Sequence, residues 1–160
     1  MLDAIRWDTD LIHRYDLAGP RYTSYPTAVQ FDSQVGTFDL LHALRDSRKA
    51  VRPLSLYVHV PFCANICYYC ACNKVITKDR GRAQAYLQRL EQEIQLVACH
   101  LDPKQPVEQL HFGGGTPTFL SYDELRQVMT RLRQHFNLLD DDSGDYGIEI
   151  DPREADWATM

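Results

Sequence analysis

Four of the five cysteines fall within ten positions, in the stretch HVPFCANICYYCACNK that runs from residue 59 to residue 74. Cys63, Cys67, Cys70 and Cys72 are separated by three, two and one residues. Thiolates so spaced can wrap a compact inorganic centre, because a tight loop turns neighbouring sulfurs inward together. Structural zinc usually takes two cysteine or histidine pairs across a longer spacer, and no second pair follows here. An iron–sulfur cluster is the better match to the donor set.

The rest of the composition sets the surroundings of those thiols. A chain of 160 residues with 44% hydrophobic content suits one ordinary globular core. No run reaches the roughly 18 apolar residues of a membrane span, and the opening MLDAIRWDTDLIHRYD is too charged for a signal peptide, so a cytoplasmic location is expected. Reducing conditions there disfavour structural disulfides, and an odd cysteine count argues against a fully paired framework. The balance of 17 basic against 22 acidic residues, net −5, gives no electrostatic footprint for nucleic acid. Local charge could still receive a small acidic substrate.

Regular elements must present this loop. Upstream of it, LSLYVHVP alternates strictly, with Leu54, Leu56, Val58 and Val60 on one face and Ser55, Tyr57 and His59 on the other, the period of a strand. Downstream, Ala83, Leu87, Leu90, Ile94, Val97 and Leu101 form a helical stripe, and Cys99 lies roughly opposite it as a bystander. A strand at VEQLHF, the turn GGGTPTFL, and a helix opened by Ser121 with Glu124 three residues later repeat the pattern. That helix buries Leu125, Val128, Met129, Leu132 and Phe136, and the polar turn DDDSGD leads to a third strand at YGIEIDP.

Strand, helix, strand, helix, strand predicts parallel pairing. The apolar phases Leu56/Val58, Leu110/Phe112 and Ile148/Ile150 should face the helices, while Tyr57, His59, His111, Glu149 and Asp151 converge on the other face near the strands' C-terminal ends. A doubly wound sheet would be apolar on both phases, so one polar phase favours a curved, barrel-like sheet with a functional interior. The expected fold is α/β: a partial (β/α) barrel over residues 51–160 with about three βα units, preceded by an irregular arm over 1–50. In that arm, short helical patterns around 9–16 and 38–46 flank the extended segment AGPRYTSYPTAVQF, either a solvated leader or a flap over the polar mouth.

Several of these features have bland readings. The triple glycine is alone a weak signal of a tight turn, and it is not a dinucleotide fingerprint. A carboxylate at Glu149 on an interior face must meet a cation or hydrogen-bond donors. Tyr57 could be packing, and His59 and His111 could be hydrogen-bonded fillers. Lys74, Lys78, Arg80 and Arg82 could form an ordinary solvated face.

The motif C-x3-C-x2-C at Cys63, Cys67 and Cys70 resembles the signature of the radical S-adenosylmethionine enzymes. The resemblance implies a 4Fe-4S cluster with these three metal ligands, and a fourth iron open to S-adenosylmethionine. It places Tyr69 against the adenine, the turn at Gly114, Gly115 and Thr116 along the methionyl part, and Tyr57 and Glu149 among the cofactor contacts. The segments GPRYTSYPTA, YVHVPFCANICYYCACNK, LHFGGGTPT and IEIDPRE, in this order, are similar to the N-terminal portion of the oxygen-independent coproporphyrinogen III oxidase family over essentially the whole chain. That family's barrel has further βα units and a C-terminal domain.

Within that resemblance Cys72 is a cysteine that is not a ligand, either a catalytic group or a small buried side chain, and His59 would tune the cluster or its electron transfer. His111 is read as structural. Arg21, with Tyr22 and Tyr25, would lie near the substrate entrance, where an arginine could pair with a propionate. The implied reaction is radical decarboxylation of coproporphyrinogen III to protoporphyrinogen IX. An electron donor such as flavodoxin, no nucleic acid or membrane partner, and a monomeric longer protein are expected. A chain of this length is expected to load a cluster without turning over substrate. Two other readings compete: a haem-binding carrier related to the oxidases, disfavoured by Cys72 and the leader, and a small zinc-stabilised module.

Overall fold

In a computed structural model, residues 7–17, 27–153 and 155 are described. The chain forms two compact units, Met1–Gly36 and Thr37–Met160. In the first, α1 (Thr9–Tyr15) starts where the Asp8 carboxylate accepts the Leu11 N–H at 2.9 Å. Arg21, Tyr22 and Tyr25 lie outside the described residues, as do residues 18–26 of the segment AGPRYTSYPTAVQF and with them its reading as a flap; its described end forms a 3-10 turn at Ala28–Gln30 rather than extended chain.

The second unit opens with α2 (Thr37–Ala50), longer than the pattern at 38–46 suggests. Leu44 packs on the core, and the fully buried Gln105 donates its amide to the carbonyls of Ser47 at 3.2 Å and Arg52 at 2.8 Å. Those bonds tie α2 to the loop before the next strand, within the second unit.

The main sheet is parallel throughout, as its long crossovers require. Strand β1 (Leu54–Val60) pairs with β4 (Pro106–Gly114), with Tyr57 opposite His111 and Val60 opposite Gly114. Between them run a two-stranded ladder, β2 (Phe62–Cys63) with β3 (Val75–Ile76), and helix α3 (Arg82–Ala98). Sequence periodicity did not reveal β2 and β3, since two residues carry no period.

Helix α4 (Tyr122–His135) begins at the anticipated capping box: Ser121 N–H donates to Glu124 at 2.8 Å, and Glu124 N–H donates to the Ser121 hydroxyl at 3.3 Å. Leu87, Ile94, Val128 and Leu132 face Val58, Val60, Leu110 and Phe112 in one apolar cluster, and Arg131 pairs with Glu91 at 3.0 Å across the two helices.

The third strand differs from its expected form. It arrives in two pieces, β5 (Asn137–Leu138) and β6 (Asp145–Ile148), both paired to β4. Tyr146 closes the neck of the intervening loop, its hydroxyl donating to Val107 O at 2.8 Å and accepting from Leu139 N–H at 2.7 Å. The ladder reaches Glu149, whose N–H donates to Phe112 O at 2.8 Å, and stops short of the expected residue 152. Pro152 has no N–H to give, and the Asp151 carboxylate turns the chain by accepting from Arg153 N–H at 3.0 Å. Ile148 and Ile150, expected under helices, are 45% and 46% exposed, because α3 and α4 cover β1 and β4 and no described helix follows β6.

Candidate functional site

Parallel register brings the polar phase together at the C-terminal edge of the sheet. Tyr57 on β1 stacks on His111 of β4, with ring centroids 5.8 Å apart and planes 13° from parallel. His111 Nε2 lies 3.4 Å from Glu149 Oε1, while Glu149 Oε2 accepts from Gly114 N–H at 3.3 Å. The carboxylate is half exposed rather than interior, so the Gly114 N–H orients it without being required by burial. Beside this row, His59 Nδ1 sits 3.4 Å from the Tyr57 hydroxyl and Nε2 2.9 Å from Asn73 O. Partial burial, then the negative charges of Glu149 and Cys72, push the Tyr57 hydroxyl above its ordinary pKa. His111, read as structural, lies between Tyr57 and Glu149 and touches both.

The glycine turn answers two constraints, the unusual backbone angle that a tight turn suggests and crowding by the protein's own atoms. A Cβ on Gly113 would strike the Tyr57 hydroxyl at 2.8 Å and Glu149 at 3.0 Å, and one on Gly114 would strike the His59 ring at 2.8 Å. Gly114 also has φ +113°, which side-chain-bearing residues rarely adopt. At Gly115 the obstacle is backbone, Phe62 O at 2.7 Å and Pro61 C at 2.8 Å. On the side where a Cβ would point, the neighbours of these glycines are the protein's own atoms. Thr116 is buried, with its N–H on Phe62 O at 2.8 Å and its hydroxyl 3.6 Å from Cys63 Sγ.

Strand β1 ends directly before the cysteine loop, and β2–β3 pairing clamps the loop's base: Val75 N–H donates to Pro61 O at 2.7 Å and Thr77 N–H to Cys63 O at 2.9 Å. Cys63 is buried, Cys67 and Cys70 are half-buried, and Cys72 and Cys99 are exposed; all five are free thiols. Exposure removes the reading of Cys72 as a buried filler. The Cys72 N–H is the largest of the influences that hold the Cys70 thiol below its usual pKa, and the hydrogen bond between the two side chains is the first that pushes Cys72 up. Tyr69 is 88% exposed. Among the described residues no group of three His, Cys, Asp or Glu side chains converges in metal-binding geometry. The donor chemistry nevertheless fits a thiolate-held cluster, with three free thiols on one short loop anchored at its base.

The basic residues after the loop serve the fold in part. Lys74 Nζ donates to Cys72 O at 3.2 Å, and Arg80 donates to Phe119 O at 2.6 Å while lying over the Phe119 ring. Arg153, which the sequence reading passed over, sends Nη2 to within 3.6 Å of Cys67 Sγ while Asp151 holds it. That pairing holds the Asp151 carboxyl down at about 2 and raises Arg153.

Against known proteins, residues 57–153 match the Radical SAM superfamily. The chain is 77% identical over 160 residues to the oxygen-independent coproporphyrinogen III oxidase of Pseudomonas aeruginosa, covering 100% of this chain and 35% of that protein. It is 46% identical over 151 residues to the protein of the same name from Mannheimia haemolytica, covering 94% of this chain and 100% of that sequence. A solved structure of coproporphyrinogen III oxidase from Escherichia coli, described as a radical SAM enzyme, superposes with TM-score 0.77 at 43% identity over 95% of this chain and 32% of that one. The chain thus spans about a third of the length of most of the relatives it matches. With its cysteine motif, parallel sheet and these matches, the chain belongs to the radical SAM superfamily, within the family of the oxygen-independent coproporphyrinogen III oxidases.

Proposed function

We propose that this chain carries the cluster- and cofactor-binding part of an enzyme that oxidatively decarboxylates coproporphyrinogen III to protoporphyrinogen IX without oxygen. The observation that carries the reading is the row Tyr57, His111 and Glu149, ending beside the loop of three free thiols. Cys63, Cys67 and Cys70 would hold a 4Fe-4S cluster. When bound, the cluster and S-adenosylmethionine together supply the one-electron chemistry that removes a hydrogen atom from a substrate carbon.

The protein's own groups bind and orient. Glu149, already a hydrogen-bond acceptor from Gly114 N–H, offers the cofactor's ammonium group a charged partner. Gly114, Gly115 and Thr116 would hold the methionyl part together with Tyr57, and Tyr69 would take the adenine. His59, bridging Tyr57 and Asn73 O, and the exposed Cys72 stand where electron or proton transfer would be tuned. Arg21 would meet a propionate. The electron comes from a separate donor such as a flavodoxin, in the cytoplasm, to a protein that acts as a monomer. Neither nucleic acid nor membrane takes part; the net charge is −5, and no helix among the described residues is long and apolar enough to cross a membrane.

Anaerobic reconstitution of the chain with iron and sulfide tests this. About four irons and four sulfides per chain are expected, with an electron paramagnetic resonance signal that changes on adding S-adenosylmethionine. Cys67→Ala should lose the cluster. One equivalent of zinc, without sulfide, in anaerobically purified protein would overturn the assignment.

A further inference from the structure

The three sulfurs of the motif meet three different donors. Cys63 Sγ receives the Thr116 hydroxyl at 3.6 Å, Cys70 the Cys72 backbone N–H, and Cys67 the Arg153 guanidinium at 3.6 Å. Arg153 stands apart because its charged fork reaches its sulfur from 86 residues away, whereas Cys70 is served by its near neighbours Cys72 and Lys74. Its place is not left to chance. Nε donates to both Asp151 oxygens, at 2.9 and 3.2 Å, Nη2 donates to Asp151 Oδ2 at 2.6 Å, and the Arg153 backbone N–H donates to Oδ1 at 3.0 Å. The Asp151 side chain is only 15% exposed. A planar fork can hold a carboxylate with one edge and still present an N–H elsewhere, which a lysine cannot do.

We infer that Arg153, clamped by Asp151, is a positioning residue for Cys67 and raises the reduction potential of the cluster held there. This rests on the cluster reading proposed above. A hydrogen bond to a cluster sulfur favours the electron-richer, reduced state, so removing the donor makes reduction harder. Asp151 and Arg153 together are nearly neutral. The effect therefore comes from the directed N–H rather than from net charge, and a charge-balanced variant separates the two.

The test is a redox titration of the full chain, reconstituted with iron and sulfide and followed by the reduced cluster's electron paramagnetic resonance signal. Arg153→Gln should make reduction about tenfold less favourable, about 59 mV more negative for a one-electron couple. The double variant Asp151→Asn with Arg153→Gln loses both charges and the bond, and should still lie negative of the parent. If Arg153→Gln loads no cluster, Arg153→Lys, which keeps the charge without the fork, reads the same shift at smaller size. A double variant at the parent's potential, or an unmoved Arg153→Gln, overturns the inference and leaves the cluster reading standing. A parent chain that binds no cluster overturns both.

Discussion

Replacing Gly115 by alanine puts a methyl group where there is no room and where nothing can yield. The new Cβ would stand 2.7 Å from Phe62 O and 2.8 Å from both the carbonyl carbon and the oxygen of Pro61. These are backbone atoms already engaged: Pro61 O accepts from Val75 N–H at 2.7 Å and Phe62 O from Thr116 N–H at 2.8 Å. Relief requires the end of β4 to draw away from residues 60–62, which gives up Gly115 N–H to Val60 O, 2.8 Å, and Thr116 N–H to Phe62 O. At about 1 to 1.5 kcal/mol for each buried bond the loss is about 2 to 3 kcal/mol. Reduced entropy of the unfolded alanine chain returns about 0.4 to 1 kcal/mol, leaving about 2 kcal/mol. With a urea dependence of about 2 kcal/mol per molar, the unfolding midpoint should fall by about 1 M. The buried Cys63, next to this seam, should at the same time alkylate faster with iodoacetamide. An unchanged or raised midpoint, followed by far-ultraviolet circular dichroism, would refute the packing argument.

Two further outcomes follow from local contacts. Tyr86 donates its hydroxyl to His59 O at 2.7 Å, and burial, with Glu93 adding to it, pushes its pKa up to about 12. The folded state thus keeps a proton that the unfolded chain releases near about 10, so stability should fall as pH rises from about 10 to about 12. Tyr86→Phe should cost about 1 kcal/mol at neutral pH and remove its share of that alkaline loss, read from urea midpoints across the range. Ser121→Ala should cost about 1 kcal/mol. Glu124→Ala should cost less in that background than alone, because the Ser121 hydroxyl also donates to the Glu124 carboxylate at 2.9 Å; full additivity in urea midpoints would show that the two caps act separately.

Much of the scaffold was legible because it is local. The alternation of Leu54 to Val60, the stripe from Ala83 to Leu101 and the Ser121–Glu124 box each report how a short segment meets one environment, and each element stands on its pattern, with α3 ending at Ala98, three residues before the stripe does. The C-x3-C-x2-C loop is likewise a local arrangement of chemistry. Elements too short to have a period, β2, β3 and β5, were silent, as was the break between β5 and β6 that Tyr146 bridges.

Contacts between distant segments were not legible. The parallel register that sets Tyr57 against His111 and brings Glu149 to Gly114, the crowding at Gly115, and the reach of Arg153 to Cys67 all depend on strands meeting at defined offsets. By itself the sequence determined the kinds of chemistry available, the periodic elements and their order. Tertiary structure decided which of the converging side chains touch one another and brought Arg153 to Cys67, because pairing register is a property of two strands together and is written in neither.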